Sequence, residues 1–251
     1  MNRDVTRVLL VATFLLAPRE ADACGAAYPG GPVMCDYPRT QDGAPTMGPP
    51  IARLSTSYAF TSTTILFGGE RRAELTRHAL FGAVEIPLSP KVVTQFGAGG
   101  VAGGELVHGA ARDTMGPGAT GFFGVAVRAI PERSAAPFLL LTATLSATHA
   151  ITHSSLARDT SSRFTALDLR AGAMVGKSIG GGFTPYAVGR VFGGPIDWHY
   201  DDVHVRGTDL YKYQLGGGLS LAMLDRRLDV FAEGIALGER GIAAGIGTTF
   251  F

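Results

Sequence analysis

Residues 211–223, YKYQLGGGLSLAM, decide how this chain folds. Tyr211, Tyr213, Leu215, Gly217, Leu219, Leu221 and Met223 fall on one face of an extended chain. Lys212, Gln214, Gly216, Gly218, Ser220 and Ala222 fall on the other. Side chains alternate faces along a β-strand, so this pattern is a strand with one apolar and one polar face. It exceeds the roughly 5–6 residues of an ordinary globular strand and is long enough to cross a bilayer at a tilt. Its tyrosines gather at one end, as amphipathic rings do at a membrane interface.

The same alternation recurs outward from this stretch. Leu54, Thr56, Tyr58 and Phe60 oppose Arg53, Ser55 and Ser57, and Phe123, Val125 and Val127 oppose Thr120, Gly124 and Arg128. Leu139, Leu141, Ala143, Leu145, Ala147 and Ile151 stand against Thr142, Thr144, Ser146, Thr148 and Thr152. Leu167, Leu169, Ala171, Ala173 and Val175 stand against Asp168, Arg170 and Gly172. Weaker strands are read at about 75–86, 91–103, 183–193, 228–237 and 240–251, giving ten; in the second and ninth, charged and apolar residues share a face. Links near 62–73, 104–117, 153–162 and 194–207 read as long polar loops, and those near 87–90, 131–137, 177–182 and 224–227 as tight turns. Loops sorted by parity in this way are a feature of membrane barrels, with both termini on the tight-turn side.

Composition agrees. Charged residues are 17% of the 251, glycines number 35, and the net charge of +1 gives no electrostatic case for nucleic acid. Mean hydropathy is mildly positive, yet after residue 17 no apolar run reaches the roughly 18 residues of a membrane helix. A barrel dilutes its apolar residues one for one with lumen residues. The expected fold is therefore all-β: a closed antiparallel up-and-down transmembrane barrel of about ten strands.

Residues 1–23 read as a secretory signal, with Arg3 and Arg7 before the apolar run Val8 to Ala17 and small residues Ala21 and Ala23 before a cut. Residues 24–50, rich in proline and glycine, read as a periplasmic tether, and 51–251 as the barrel. The chain's two cysteines, Cys24 and Cys35, are expected to form a disulfide in this secreted segment, with lipidation of Cys24 or free thiols as alternatives.

This organisation resembles the small monomeric outer-membrane β-barrel proteins of bacteria, over residues 51–251. The resemblance rests on the signal peptide, the alternating strands, the sorted loops and the closing Gly247-Thr248-Thr249-Phe250-Phe251. The apolar set Phe250, Ile246, Ala244 and Ile242 is one residue out of step with the terminal Phe251. The resemblance implies location in the outer membrane as a monomer. It also implies contact with membrane lipid and lipopolysaccharide, and insertion by the barrel assembly machinery.

Arg53, Arg128, Asp168, Arg170, Arg190, Lys212, Glu233 and Glu85 fall on lumen-facing positions. Barrels near eight strands are filled by side chains and open channels appear near sixteen. These charges are therefore read as a plug, with a pore lining as the alternative. Asp197, Trp198, His199, Asp201, Asp202 and His204 form a dense polar cluster on an outer loop, a candidate for binding a ligand or partner. Imidazole and carboxylate suit zinc or manganese. The spacing matches no metal motif, so neither metal nor cofactor is expected. His153 and Ser155 have a His-x-Ser spacing similar to lipid A deacylases, but Leu156 stands where those enzymes carry asparagine. An omptin-like protease would need acidic and His/Asp pairs on facing strands, which the loops opposite do not visibly provide. The expected role is structural or surface-interacting and non-enzymatic, with a narrow channel next and a membrane-embedded hydrolase third.

Overall fold

The computed structural model describes residues 50–251 apart from 69, 134–135, 155–160, 180–181, 201–202 and 225. The signal, the tether and the Cys24–Cys35 pair lie outside the described residues.

Twelve strands follow one another: β1 Ala52–Phe67, β2 Arg71–Ser89, β3 Val92–His108, β4 Ala111–Ile130, β5 Phe138–Ser154 and β6 Ser161–Gly176. Then come β7 Phe183–Gly193, β8 Ile196–Tyr200, β9 Val203–Asp209, β10 Tyr213–Met223, β11 Leu228–Gly238 and β12 Arg240–Phe250. Ten of them close an antiparallel ring, β1 to β7 and then β10 to β12, because β12 pairs back onto β1 from Ala52↔Phe250 to Ser62↔Arg240. Closure satisfies every edge, as lipid requires. This is the barrel that the alternation predicts.

Two strands lie where the sequence reading expects a loop. β8 and β9 form a hairpin whose β8 pairs with the outer end of β6 (Arg163↔His199 to Ala166↔Ile196) and whose β9 pairs with the outer end of β1 (Ile65↔Asp209 to Phe67↔Gly207). Both β1 and β6 thus change partners along their length, β1 from β12 to β9 and β6 from β7 to β8. Above that level the molecule is a second closed ring of eight strands, β1–β6 with β8 and β9. The reason lies in strand length. β7 and β10–β12 are each 11 residues, enough to cross a bilayer at a tilt. β1–β6 are 16–20 residues and run on by about 17–30 Å of strand.

The expected long outer loops are therefore mostly strand. Residues 62–67 and 71–73 belong to β1 and β2, and 104–108 and 111–117 to β3 and β4. A register shift against β2 after His78 reverses the alternation of β3 near Ala102, and another between Met115 and Gly118 reverses that of β4. A bulge sends the following side chains to the opposite face, so the period-2 signal vanishes there although the strand continues.

The two rings have opposite polarity. Around the ten-strand ring, the outward side chains include Leu80, Phe96, Phe123, Leu145, Leu169, Leu219 and Ile246, all exposed. On the upper parts of the same strands the outward positions become Ser62 and Thr64 on β1, Arg72, Glu74 and Thr76 on β2, and Ser161, Arg163 and Thr165 on β6. The upper interior is mainly apolar, a cluster including Ile65, Leu75, Leu106, Met115, Phe164 and Trp198, with Asp113, Thr152 and Ser162 buried beside it. Burying each large side chain there contributes about 1.5–3 kcal/mol. Near the boundary, Tyr58 Oη lies 2.7 Å from His78 Nδ1, and Tyr211 and Tyr213 pack edge to face, 6.5 Å apart.

Phe250, not Phe251, is the outward aromatic of the last strand, in step with Ile246 and Ile242. The mixed faces of the second and ninth expected strands also have a cause. On β2 and β11 the inward side chains include both the carboxylates Glu85, Asp229 and Glu233 and the apolar Phe81, Phe231 and Ile235, because a narrow lumen must be filled as well as charged.

Candidate functional site

Three arginines organise the lumen, each nearly buried. At the lower end the Arg53 guanidinium forks onto Asp229, with Nε 2.8 Å from Oδ1 and Nη2 2.5 Å from Oδ2, while Nη1 donates to Glu85 Oε1 at 2.5 Å. The register sets this up, because Arg53, Glu85 and Gln95 are direct cross-strand neighbours on β1, β2 and β3. Gly247 makes the room: a Cβ there would run into the Arg53 guanidinium.

Higher up, Arg190 donates to both oxygens of Glu233, at 2.8 and 3.1 Å, and to Gln214 Oε1 at 3.3 Å. Gly172 lies opposite it in register, where a Cβ would meet the Arg190 side chain at 2.7 Å. At the top of the ten-strand ring Arg170 bonds Asp168 through Nε and Glu239 Oε2 through Nη2 at 3.0 Å, and stacks on Phe192 with its Cζ 4.7 Å from the ring centroid. Bidentate, charge-assisted bonds of this kind offset the large cost of burying the ions.

Of the lumen charges expected from sequence, the structure places Arg53, Glu85, Asp168, Arg170, Arg190 and Glu233 in these three groups. Arg128 lies half-buried near the lower end of β4. Lys212 does not belong: it is exposed in the link before β10, where the strand's parity no longer applies. Asp229, Gln95 and Gln214 were missed, although each stands at the inward parity of a strand the sequence shows. Glu239 was missed because it sits in the β11–β12 turn, yet it is only 2% exposed.

The expected loop cluster divides. Trp198 points inward, 4% exposed, donates from Nε1 to Thr152 Oγ1 at 3.0 Å and packs against Phe67 and His108. It is a core residue, because β8 is a strand and Trp198 takes its inward parity. Asp197, His199 and His204 face outward: His199 and His204 are cross-strand neighbours with rings 4.2 Å apart, and His204 Nδ1 is 3.7 Å from Asp197 Oδ2. Asp201 and Asp202 lie outside the described residues. His153 faces outward at the upper end of β5, and Ser155 lies outside the described residues. Another polar pair sits inside the upper ring, where His108 Nε2 is 2.9 Å from Oδ2 of the buried Asp113.

Between the Arg170 group and the apolar upper core lies a cavity of about 50 Å³. Its walls are mixed. Asp168, Arg170, Glu239, Asp209 and Arg77 bring charge, Thr61, Thr63, Thr120 and Thr148 bring hydroxyls, and Leu75, Phe164 and Ile196 form the apolar side. That volume holds a few water molecules.

No protein-family model matches the chain, and no curated protein matches it. Among solved structures it is similar to the translocator domain of the autotransporter NalP from Neisseria meningitidis, at 13% identity over 83% of this chain and 91% of that one, with a TM-score of 0.45. It is similar to the outer membrane protease OmpT from Escherichia coli, at 11% identity over 79% and 96%, with a TM-score of 0.48. A third is the transport unit of the autotransporter AIDA-I from Escherichia coli, at 9% identity over 82% and 92%, with a TM-score of 0.44. None of these similarities brings an activity to this chain.

Proposed function

We propose that the chain is a monomeric bacterial outer-membrane barrel that does not conduct and is not an enzyme, and that it serves as a surface scaffold holding the β8–β9 hairpin outside the membrane. The observation that carries this reading is the double closure of its axis. A solute would have to pass the Arg53, Arg190 and Arg170 groups and then the apolar core around Phe164 and Trp198. The exposed apolar belt supports placement in lipid, with lipopolysaccharide against the polar outward faces above it and the barrel assembly machinery as the route in.

A narrow channel is the second reading, favoured by the cavity beneath the upper core, whose walls carry Asp168, Arg170 and Glu239. Single-channel recording of the full chain in planar bilayers separates the two. The expected result is no stable conductance from wild type. A steady conductance like that of a general porin would replace the scaffold with the channel.

A further inference from the structure

Where the β8–β9 hairpin pairs with β1, it places one carboxylate inward. Asp209, the last residue of β9, sits where that strand meets β1, 9% exposed, and accepts a hydrogen bond from Thr63 Oγ1 at 3.1 Å. Every charged element around it faces the same cavity: Asp168 and Arg170 from β6, Glu239 from the β11–β12 turn and Arg77 from β2. Three carboxylates thus share two guanidiniums, and Arg170 is already engaged by Asp168 and Glu239.

We propose that Asp209 is a proton-operated latch: protonated, it seats the β8–β9 hairpin on the barrel, and ionised, it loosens the hairpin and opens the junction cavity to the outside. Leaving the seated position gives Asp209 water and distance from Asp168 and Glu239, so the ionised form favours release. Burial, then Glu239 and Asp168, push its carboxyl from 3.8 up to about 6, against the opposing pull of Arg170 and Arg77. A carboxyl raised in the seated state binds its proton there more tightly than in the released state. Seating therefore strengthens as pH falls through about 6, reaches its full value below about 4, and weakens as pH rises. The whole linkage amounts to about a hundredfold in the seating equilibrium. The proposal concerns the hairpin alone and stands whether or not the barrel conducts.

Trp198, the chain's single tryptophan, lies on β8 in the upper core and reports the seating directly. Acrylamide quenching of its fluorescence is measured on the full chain in lipid nanodiscs from pH 4.5 to 8. Wild type is expected to become more quenchable through a midpoint near pH 6. Asp209→Asn is expected to stay protected throughout, and His108→Gln, which removes the imidazole packed on Trp198, is expected to keep the wild-type transition. Glu239→Gln, which removes one repelling carboxylate, is expected to lower the midpoint and serves if Asp209→Asn does not assemble. A flat wild-type profile, a transition that survives in Asp209→Asn or vanishes in His108→Gln, or an unmoved midpoint in Glu239→Gln would overturn the latch.

Discussion

The lower and upper halves of β1 are built from the same backbone and pleat, yet they solve opposite problems. Below, Leu54 and Tyr58 face out and Arg53, Ser55 and Ser57 face in; above, Ser62 and Thr64 face out and Ile65 and Phe67 face in. The lower half is a membrane strand and the upper half a strand of a water-soluble barrel. What distinguishes them is the surrounding solvent, since period 2 serves both. The molecule follows from that difference. Ten strands suffice where lipid forms the outer wall, and eight give a tighter ring where the interior must be dry.

The largest effects should come from the charged groups of the lower ring. Arg53→Ala leaves Glu85 and Asp229 buried without their shared cation, and is expected to destabilise the barrel by about 3–5 kcal/mol. Urea unfolding in detergent, followed by heat-modifiable gel migration, measures it. Phe164→Ala, in the upper core and fully buried, is expected to cost about 3–5 kcal/mol as well, but locally. Hydrogen exchange should then rise on β8, β9 and the upper end of β6 while the lower ring keeps its protection. Global unfolding by Phe164→Ala would mean that the two rings are a single cooperative unit.

A matched pair of lysines probes the two outward faces. Leu219→Lys places a charge on the outward face of β10 and should cost about 2–4 kcal/mol near the bilayer midplane. Thr64→Lys places the same charge on the outward face of upper β1 and should fall within about 0.5 kcal/mol of wild type. Folding titrations of both variants into the same vesicles decide it, and equal penalties would break the account. The smallest effect expected is Thr152→Val, which removes the hydrogen bond from Trp198 and should cost about 0.5–1.5 kcal/mol, read from the same quenching assay at fixed pH.

How much of this was legible depends on what interrupts the alternation. Leu215 to Met223 shows β10 plainly, since lipid outside and a polar lumen inside persist along its length. At Ser62 to Phe67 the apolar set moves from even to odd positions, and sequence reading takes the end of a pattern for the end of a strand. On β3 and β4 the bulges reverse the faces a second way. β8 is only five residues long, and although Ile196, Trp198 and Tyr200 alternate with Asp197 and His199, its acids and histidines read as loop. The ion pairs were half legible. Asp168 and Arg170 stand two apart on a clear strand, whereas Glu239 sits in a turn that only the third dimension folds back over the lumen.

If the exchange of polarity along these strands marks the membrane surface, site-directed spin labelling reads it position by position. Nitroxides are placed one at a time at Leu145, Leu219, Thr64 and Arg163, in a chain lacking Cys24 and Cys35 and reconstituted into lipid vesicles. Oxygen, which concentrates in lipid, should dominate relaxation at positions 145 and 219, and a water-soluble nickel chelate should dominate at 64 and 163. Oxygen dominance at 64 and 163 would put the upper ring inside the bilayer and contradict the account.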